Sequence, residues 1–280
     1  MIYPPQGEER MRYIVFTDLD GTLIDHNTYS YEAAKPAIEE LRERNIPLIF
    51  CTSKTRAEIE VYVRELESTH PFISENGGAI FIPRDYFDVD YPVSKTEDNY
   101  DVIELGTSYD TLRRVLVDIR NSENMDIIGF GDMDDEGVSE DTGLDIESAR
   151  FAKMREYDEA FRLNGDEDTA GRLQKKIHEQ GLNYTRGGRY WHILGDNDKG
   201  KAVNILTGLY RKEYGNIRTV GLGDSLNDLP MLRAVDIPVL VQKHNGEHDP
   251  KIADQDIMRI RGIGPVGWNM AIKDIISSDE

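Results

Sequence analysis

Apolar residues along this chain fall into short runs that alternate with amphipathic stretches. Tyr13-Ile14-Val15-Phe16 is an apolar, β-prone run just ahead of Asp18, and it predicts a buried strand. Residues 32–44 then repeat with helical spacing, placing Ala33, Ala34, Ala37, Ile38 and Leu41 on one face. Pro47-Leu48-Ile49-Phe50-Cys51 predicts a second buried strand and residues 55–66 a second helix. Phe72-Ile73 leads into a third strand, followed by Glu75-Asn76-Gly77-Gly78 and the apolar run Ala79-Ile80-Phe81-Ile82. Strands and helices alternating at this length predict parallel βαβ units, and hence an α/β fold with a doubly wound, Rossmann-like parallel sheet.

The regime changes at Pro83. Residues 84–104 are rich in Asp, Tyr and Pro, and the middle of the chain mixes patterns. Val102-Ile103-Glu104-Leu105 and Met125-Asp126-Ile127-Ile128-Gly129-Phe130 predict strands, and residues 109–120 and 169–180 predict helices. Leu182-Asn183-Tyr184-Thr185 and Arg189-Tyr190-Trp191-His192-Ile193-Leu194 predict two strands joined across Gly187-Gly188. The acidic stretch 132–145 reads as an exposed loop or short helix. The βαβ pattern then returns: a helix over 199–210, the strand Thr219-Val220-Gly221-Leu222, a helix over 227–234, a strand over 237–241 and a last helix over 267–276. The expected organisation is a core made of residues 1–83 and 189–280, with an α+β unit, residues 84–188, inserted between its halves.

Composition narrows the range of functions. The 280 residues include 53 acidic against 33 basic, a formal net charge of −20. Nucleic acid is an unfavourable partner for such a surface, because phosphate backbones are bound by basic faces. An anionic small molecule is still compatible, provided that a divalent cation and a few Lys or Arg residues reverse the field locally. No run of about eighteen apolar residues is present to span a membrane, and residues 1–12 lack the apolar core of a signal peptide. The single cysteine, Cys51, fits a reducing compartment. The cytoplasm is the expected location.

Four clusters at expected strand ends carry the chemistry. Asp18-Leu19-Asp20-Gly21-Thr22 follows the first strand, at the edge of a doubly wound sheet where ligands bind. Two carboxylates two residues apart repel unless a cation or proton lies between them, and oxygen-ligated Mg²⁺ meets that need. One carboxylate can attack phosphorus while the other gives acid–base assistance. Thr52-Ser53 ends the second strand and offers a hydroxyl to a phosphate oxygen. Lys199, beside Gly200 and Lys201, offers an ammonium to transferring phosphoryl charge. Gly223-Asp224-Ser225-Leu226-Asn227-Asp228 supplies further oxygen ligands. Each cluster alone is matched by an ordinary acidic turn, helix cap or surface lysine. Together, in this order, they make one set of parts.

These four clusters resemble, in order, the motifs of the haloacid dehalogenase superfamily, and the insertion between the second and third resembles its C2-type cap. More narrowly, Thr52-Ser53-Lys54-Thr55-Arg56-Ala57-Glu58, the stretch from Ile73 through Asn76-Gly77-Gly78 to Pro83, and Arg155-Glu156-Tyr157 resemble mannosyl-3-phosphoglycerate phosphatases. The resemblance implies a phosphatase with Asp18 as nucleophile and Asp20 as general acid/base. It implies Mg²⁺ held by Asp18, the Asp20 carbonyl and Asp224, with Asn227 or Asp228 in support, and a phosphoryl group bound by Ser53 and Lys199. Having both Asp18 and Asp20 argues for phosphoryl transfer over dehalogenation. The implied substrate is a glycosyl-3-phosphoglycerate, mannosyl-3-phosphoglycerate first, with glucosyl-3-phosphoglycerate, sucrose-phosphate or a hexose phosphate as alternatives, taken by a monomer or homodimer. Thr52, Asn76, Gly77 and Gly78 are expected to line its site, and Lys54 and Arg56 to receive a second anion such as a glycerate carboxylate. Arg155, Glu156, Arg189 and His192 are the candidate cap contacts. Competing expectations are another sugar-phosphate phosphatase, a phosphomutase and a non-catalytic sugar-phosphate sensor.

Overall fold

The apolar run ahead of Asp18 forms β1 (Arg12–Thr17), with every residue but the first buried, as a strand covered on both faces requires. The computed structural model describes residues 11–187 and 189–277, so Gly188, at the expected edge of the insertion, lies outside the described residues. The alternation continues as α1 (Lys35–Glu43), β2 (Leu48–Cys51), α2 (Arg56–Glu65) and β3 (Phe72–Ser74). α1 buries Ala37, Ile38 and Leu41, the stripe expected from the spacing. α2 opens on a capping box: the Thr55 hydroxyl accepts from the Glu58 amide, and the Glu58 carboxylate accepts from the Thr55 amide. Two donors that the first turn would otherwise orphan are thereby satisfied. A 3-10 turn, Glu75–Gly77, then reverses the chain into β4 (Ala79–Pro83), and β5 (Lys95–Glu97) and β6 (Tyr100–Glu104) follow.

The middle of the chain runs α3 (Tyr109–Glu123), β7 (Asp126–Gly129), α4 (Asp135–Thr142), α5 (Ile146–Lys153), β8 (Asp158–Asn164), α6 (Glu167–Glu179), β9 (Asn183–Gly187) and β10 (Tyr190–Leu194). Its four strands form an antiparallel sheet in the order β7-β8-β10-β9. Side chains alternate across a strand. Phe161, Trp191 and Ile193 therefore face a core shared with Leu112, Leu116 and Ile119 of α3 and Leu173 and Ile177 of α6. Ala160, Tyr190 and His192 lie on the other face, turned toward the rest of the molecule.

The chain closes with α7 (Lys199–Tyr214), β11 (Ile217–Gly223), α8 (Leu229–Arg233), β12 (Ile237–Gln242), β13 (Met258–Ile263) and α9 (Pro265–Ser277). The large sheet has the order β13-β12-β11-β1-β2-β3-β4-β6-β5, parallel from β13 to β3 and antiparallel beyond it. One face packs Trp268 and Ile272 of α9 against α1, and the other packs Leu206 and Tyr210 of α7 against Met231 and Leu232 of α8.

Strand pairing moves both expected boundaries of the insertion. β5 and β6, expected inside it, belong to the large sheet, because Val102 and Ile103 are buried beside Phe81 and Ile80 of β4. β10, expected in the core, belongs to the small sheet, where Trp191 registers with Phe161 of β8. Among the described residues, no helix is long and apolar enough to cross a membrane.

Candidate active site

β1 lies between β2 and β11 and runs parallel to both, so the carboxyl ends of the three strands are side by side. This is where doubly wound sheets bind ligands. Asp18 leaves β1, Thr52 and Ser53 leave β2, Asp224 leaves β11, and Lys199 opens α7.

Lys199 is buried and its ammonium bridges two carboxylates, at 2.6 Å from Asp18 Oδ1 and 2.6 Å from Asp228 Oδ1. Asp228 uses its second oxygen to accept from the backbone amides of Asp224 and Ser225, both at 3.0 Å. With both oxygens engaged, Asp228 locks the loop after β11 and the lysine together. Oxygens of Asp18, Asp224 and Asp228 all lie within 4.8 Å of one another. Burial, opposed by Lys199 but reinforced by the Asp228 and Asp224 charges, holds the Asp18 carboxyl well above the usual carboxylate range. Burial and Asp228 push Asp224 up to about 7. Three carboxylates around a single ammonium leave negative charge uncompensated, and the donors are all hard oxygens. That set fits a divalent cation such as Mg²⁺.

Gly21 brings the next carboxylate round. Its φ of +76° is a left-handed conformation, and a Cβ there would lie 3.0 Å from Asp224 Oδ2. Only glycine therefore permits both the turn and the close approach. Asp20 lines the cavity with Oδ2 at 3.0 Å from Lys54 Nζ, while its Oδ1 has no protein partner. Lys54 is buried, is also 3.4 Å from Glu58 Oε1, and lies 5.4 Å from the Tyr29 ring centroid. Asp20 and Glu58 raise its pKa by more than burial lowers it, so it stays charged.

Above these residues a cavity of about 340 Å³ opens between the two sheets. Its floor holds Asp18, Asp20, Ser53, Lys54, Asp224 and Asn227, and its roof holds Phe130, Ala160, Arg155, Tyr190 and His192. His192 donates or accepts through Nδ1 with Asp158 Oδ2 at 3.1 Å, which fixes its ring. The hairpin between β9 and β10 reaches over the loop after β11. A Cβ on Gly187 would lie 3.2 Å from Asn227 Oδ1.

Several expected contacts are overturned by burial or by competing partners. Asn76, Gly77 and Gly78 do not line the cavity; they support the packing of the small sheet on the large one. Asn76 Nδ2 donates to Asp158 Oδ2 at 2.9 Å. The neighbouring Glu75 accepts from the amides of Glu156, Tyr157 and Asp158. A Cβ on Gly77 would lie 2.2 Å from the Asp198 carbonyl oxygen. Thr52 is buried, and its hydroxyl accepts the Lys54 amide at 3.3 Å. Arg56 lies outside the cavity, bound to Glu97 at 3.0 Å and Asp98 at 2.9 Å. Glu156 pairs with Lys95 at 3.1 Å, also outside it. Lys54 reaches the cavity but is saturated by acidic neighbours. Of the two cations expected to receive a second anion, only Lys54 lines the cavity, and it already pairs with Asp20 and Glu58.

The cavity also contains residues that carried no sequence signal. His26 and His244, from the loops after β1 and β12, stack with ring centroids 4.5 Å apart. Lys243 pairs with Asp249 at 2.7 Å. Tyr29 and Glu58 complete the wall near Lys54. Nothing in the spacing joins positions 26 and 244; only the sheet does, by placing the ends of β1 and β12 on either side of β11.

Residues 15–251 match the haloacid dehalogenase-like hydrolase family, and the chain belongs to it. A Methanococcoides burtonii protein named glucosyl-3-phosphoglycerate/mannosyl-3-phosphoglycerate phosphatase is 63% identical over 269 residues, covering 96% of this chain and 99% of that one. A Persephonella marina protein of the same name is 38% identical over 269 residues, 95% and 98% of the two chains. A solved Thermoplasma acidophilum structure superposes with a TM-score of 0.68 at 19% identity, over 95% of this chain and 99% of that one, and shares the fold. With its family and these relatives, the chain is a phosphatase.

Proposed function

We propose that this phosphatase is Mg²⁺-dependent and hydrolyses glycosyl-3-phosphoglycerates of both the gluco and the manno series, through a phospho-aspartate at Asp18. The observation that carries the reaction type is the buried ammonium of Lys199 fixed between Asp18 and Asp228, with Asp20 beside the same cavity. The relatives' dual name supports the substrate class. The manno compound is the first expectation from the sequence and the gluco compound an alternative; the dual name supports taking the two together. The unit between β6 and α7, built on the small sheet, serves as the cap that sets specificity.

Asp18 attacks phosphorus through a carboxylate oxygen, and the bond to the glycerate oxygen breaks. Asp20 gives that oxygen a proton and afterwards takes one from the water that cleaves the phospho-aspartate. Lys199 and the Ser53 hydroxyl hold the phosphoryl oxygens as charge moves between them. Asp18, the Asp20 carbonyl and Asp224 would hold the cation, with Asn227 or Asp228 in support. Mg²⁺ in that place neutralises the carboxylate cluster and the developing phosphoryl charge. Asp228 stands in the same carboxylate cluster, while its oxygens also hold Lys199 and the Asp224 and Ser225 amides.

Phosphate release from a panel tests this reading: glucosyl- and mannosyl-3-phosphoglycerate, sucrose-6-phosphate, trehalose-6-phosphate and hexose phosphates, each with Mg²⁺ or with EDTA. The expected outcome is turnover of the two glycosyl-3-phosphoglycerates that EDTA abolishes and added Mg²⁺ restores. Equal turnover of simple hexose phosphates would remove the substrate assignment. Turnover that survives EDTA would remove the metal.

Arg189 is the cavity cation left to receive the glycerate carboxylate. Among the described residues it has no carboxylate partner, and its guanidinium donates to the Thr142 carbonyl at 2.7 Å. It lines the same cavity as His26, whose pKa is lowered chiefly by burial and by the neighbouring His244. A charge-assisted hydrogen bond is worth about 1.5–3 kcal/mol. Arg189→Ala should therefore lower kcat/KM for glycosyl-3-phosphoglycerates about 10–100-fold. Turnover of an aryl phosphate, which has no carboxylate, should stay near wild type. A parallel loss on both substrates would show that Arg189 has another role.

A further inference from the structure

The loop that carries the Ser53 hydroxyl is held from the opposite sheet. Ser53 follows β2, and nothing in its own loop fixes its carbonyl. Arg155, in the turn between α5 and β8, donates to that carbonyl from both terminal nitrogens, at 3.4 and 3.3 Å. The Arg155 side chain is itself buried and is held by an ion pair with Asp158. Asp158 is oriented in turn by Asn76 Nδ2 at 2.9 Å and His192 Nδ1 at 3.1 Å. Two residues past Ser53, the Thr55 hydroxyl donates to the Phe151 carbonyl of α5 at 2.8 Å. Ser53 and Thr55 are thus tied at two points to one short cap segment.

We infer that Arg155 is a positioning residue for phosphoryl transfer: docking of the cap's α5–β8 turn sets the place of the Ser53 hydroxyl in the phosphoryl site. The inference rests on the phosphatase reading and on Ser53 as a phosphoryl ligand. A planar guanidinium suits the task, because both terminal nitrogens can donate to one carbonyl while Nη1 also donates to the Asp158 carboxylate. An ammonium cannot span both partners in that geometry. Closing the cap over substrate and assembling the phosphoryl site then become one event, which limits turnover of bound phosphate esters while the cap is open.

The test compares two substrates in Mg²⁺: a glycosyl-3-phosphoglycerate and p-nitrophenyl phosphate, which has nothing for a cap pocket to recognise. Arg155→Ala and Arg155→Lys should each lower kcat at least tenfold on both, by similar factors, with KM for p-nitrophenyl phosphate nearly unchanged. Ser53→Ala is made alone and combined with Arg155→Ala. If Arg155 acts through Ser53, the double variant should be less than threefold slower than Ser53→Ala. Arg155→Lys keeps the charge beside Asp158, and its melting curve guards against a fold that has simply failed. A loss confined to the glycosyl substrate would overturn the inference and make Arg155 a substrate contact. Fully multiplicative losses in the double variant, or wild-type turnover in Arg155→Lys, would overturn it as well. A Ser53→Ala enzyme with wild-type turnover on both substrates would instead overturn the reading of the phosphoryl site itself, and the inference with it.

Discussion

Replacing Asp18 with Asn is expected to abolish phosphate release, with kcat lower on the order of 10⁴-fold or more, as when other covalent nucleophiles are removed. The amide cannot attack phosphorus, and no nearby group substitutes. Asp224 lies on the neighbouring strand end, and both oxygens of Asp228 are already engaged. The fold should tolerate the change. Asp18 is buried among other carboxylates that raise its pKa, so removing its charge relieves repulsion. Lys199 retains Asp228 as a partner at 2.6 Å. The variant should melt within a few degrees of wild type in EDTA. Mass spectrometry of the wild-type enzyme quenched during turnover should find a phosphoryl adduct on the peptide containing Asp18, absent from the variant. Residual turnover of more than about 1% in a preparation free of wild-type enzyme would displace Asp18 as nucleophile.

Lys199→Met should damage the protein twice over. The side chain has 0% exposure and supplies the cation between Asp18 and Asp228, so its loss leaves buried carboxylates facing one another. Breaking a buried ion pair by removing one partner costs about 3–5 kcal/mol. At roughly 2–4 °C per kcal/mol for a protein this large, the melting temperature should fall by about 6–20 °C. Activity should fall a further 10²–10³-fold, on the order of what one preorganised electrostatic contact to a transferring group contributes. Mg²⁺ should recover more of the stability than of the rate. A cation would offset the carboxylates' repulsion, but it would not replace the hydrogen bond proposed from the lysine to a phosphoryl oxygen. If thermal stability were unchanged, the lysine would be less deeply coupled to the cluster than its two 2.6 Å contacts imply.

The reacting groups of the site were legible because each follows a local rule. Apolar runs announce β1, β2 and β11, strand ends on a doubly wound sheet carry function, Asp18, Ser53 and Asp224 follow those ends, and Lys199 opens α7. β8 was not legible. Asp158-Glu159-Ala160-Phe161-Arg162-Leu163-Asn164 alternates charge with apolar side chains in a way that predicts no buried strand. Yet Asp158 and Glu159 are fully buried, one bound by Arg155, Asn76 and His192, the other by Arg113 and the Gly131 amide. Apart from Arg155, those partners are distant in sequence, and hydrophobic periodicity cannot register a charge neutralised at a distance. β5 and β6 escaped for a related reason. Their place in the large sheet depends on β4 reversing direction beside β3, through the left-handed turn at Glu75, Asn76 and Gly77.

The sequence by itself determined the class of fold and the four clusters of candidate groups that the structure brings together at one cavity, because strand ends and carboxylate spacing are local properties. Tertiary structure alone decided which cations are free. Lys54, Arg56 and Arg189 are equally basic as letters. Lys54 is held by Asp20 and Glu58, Arg56 by Glu97 and Asp98, and Arg189 has no carboxylate beside it among the described residues. Whether a charge can serve a ligand depends on the counter-charges that the fold brings within a few ångströms of it, and those come from other strands, loops and helices.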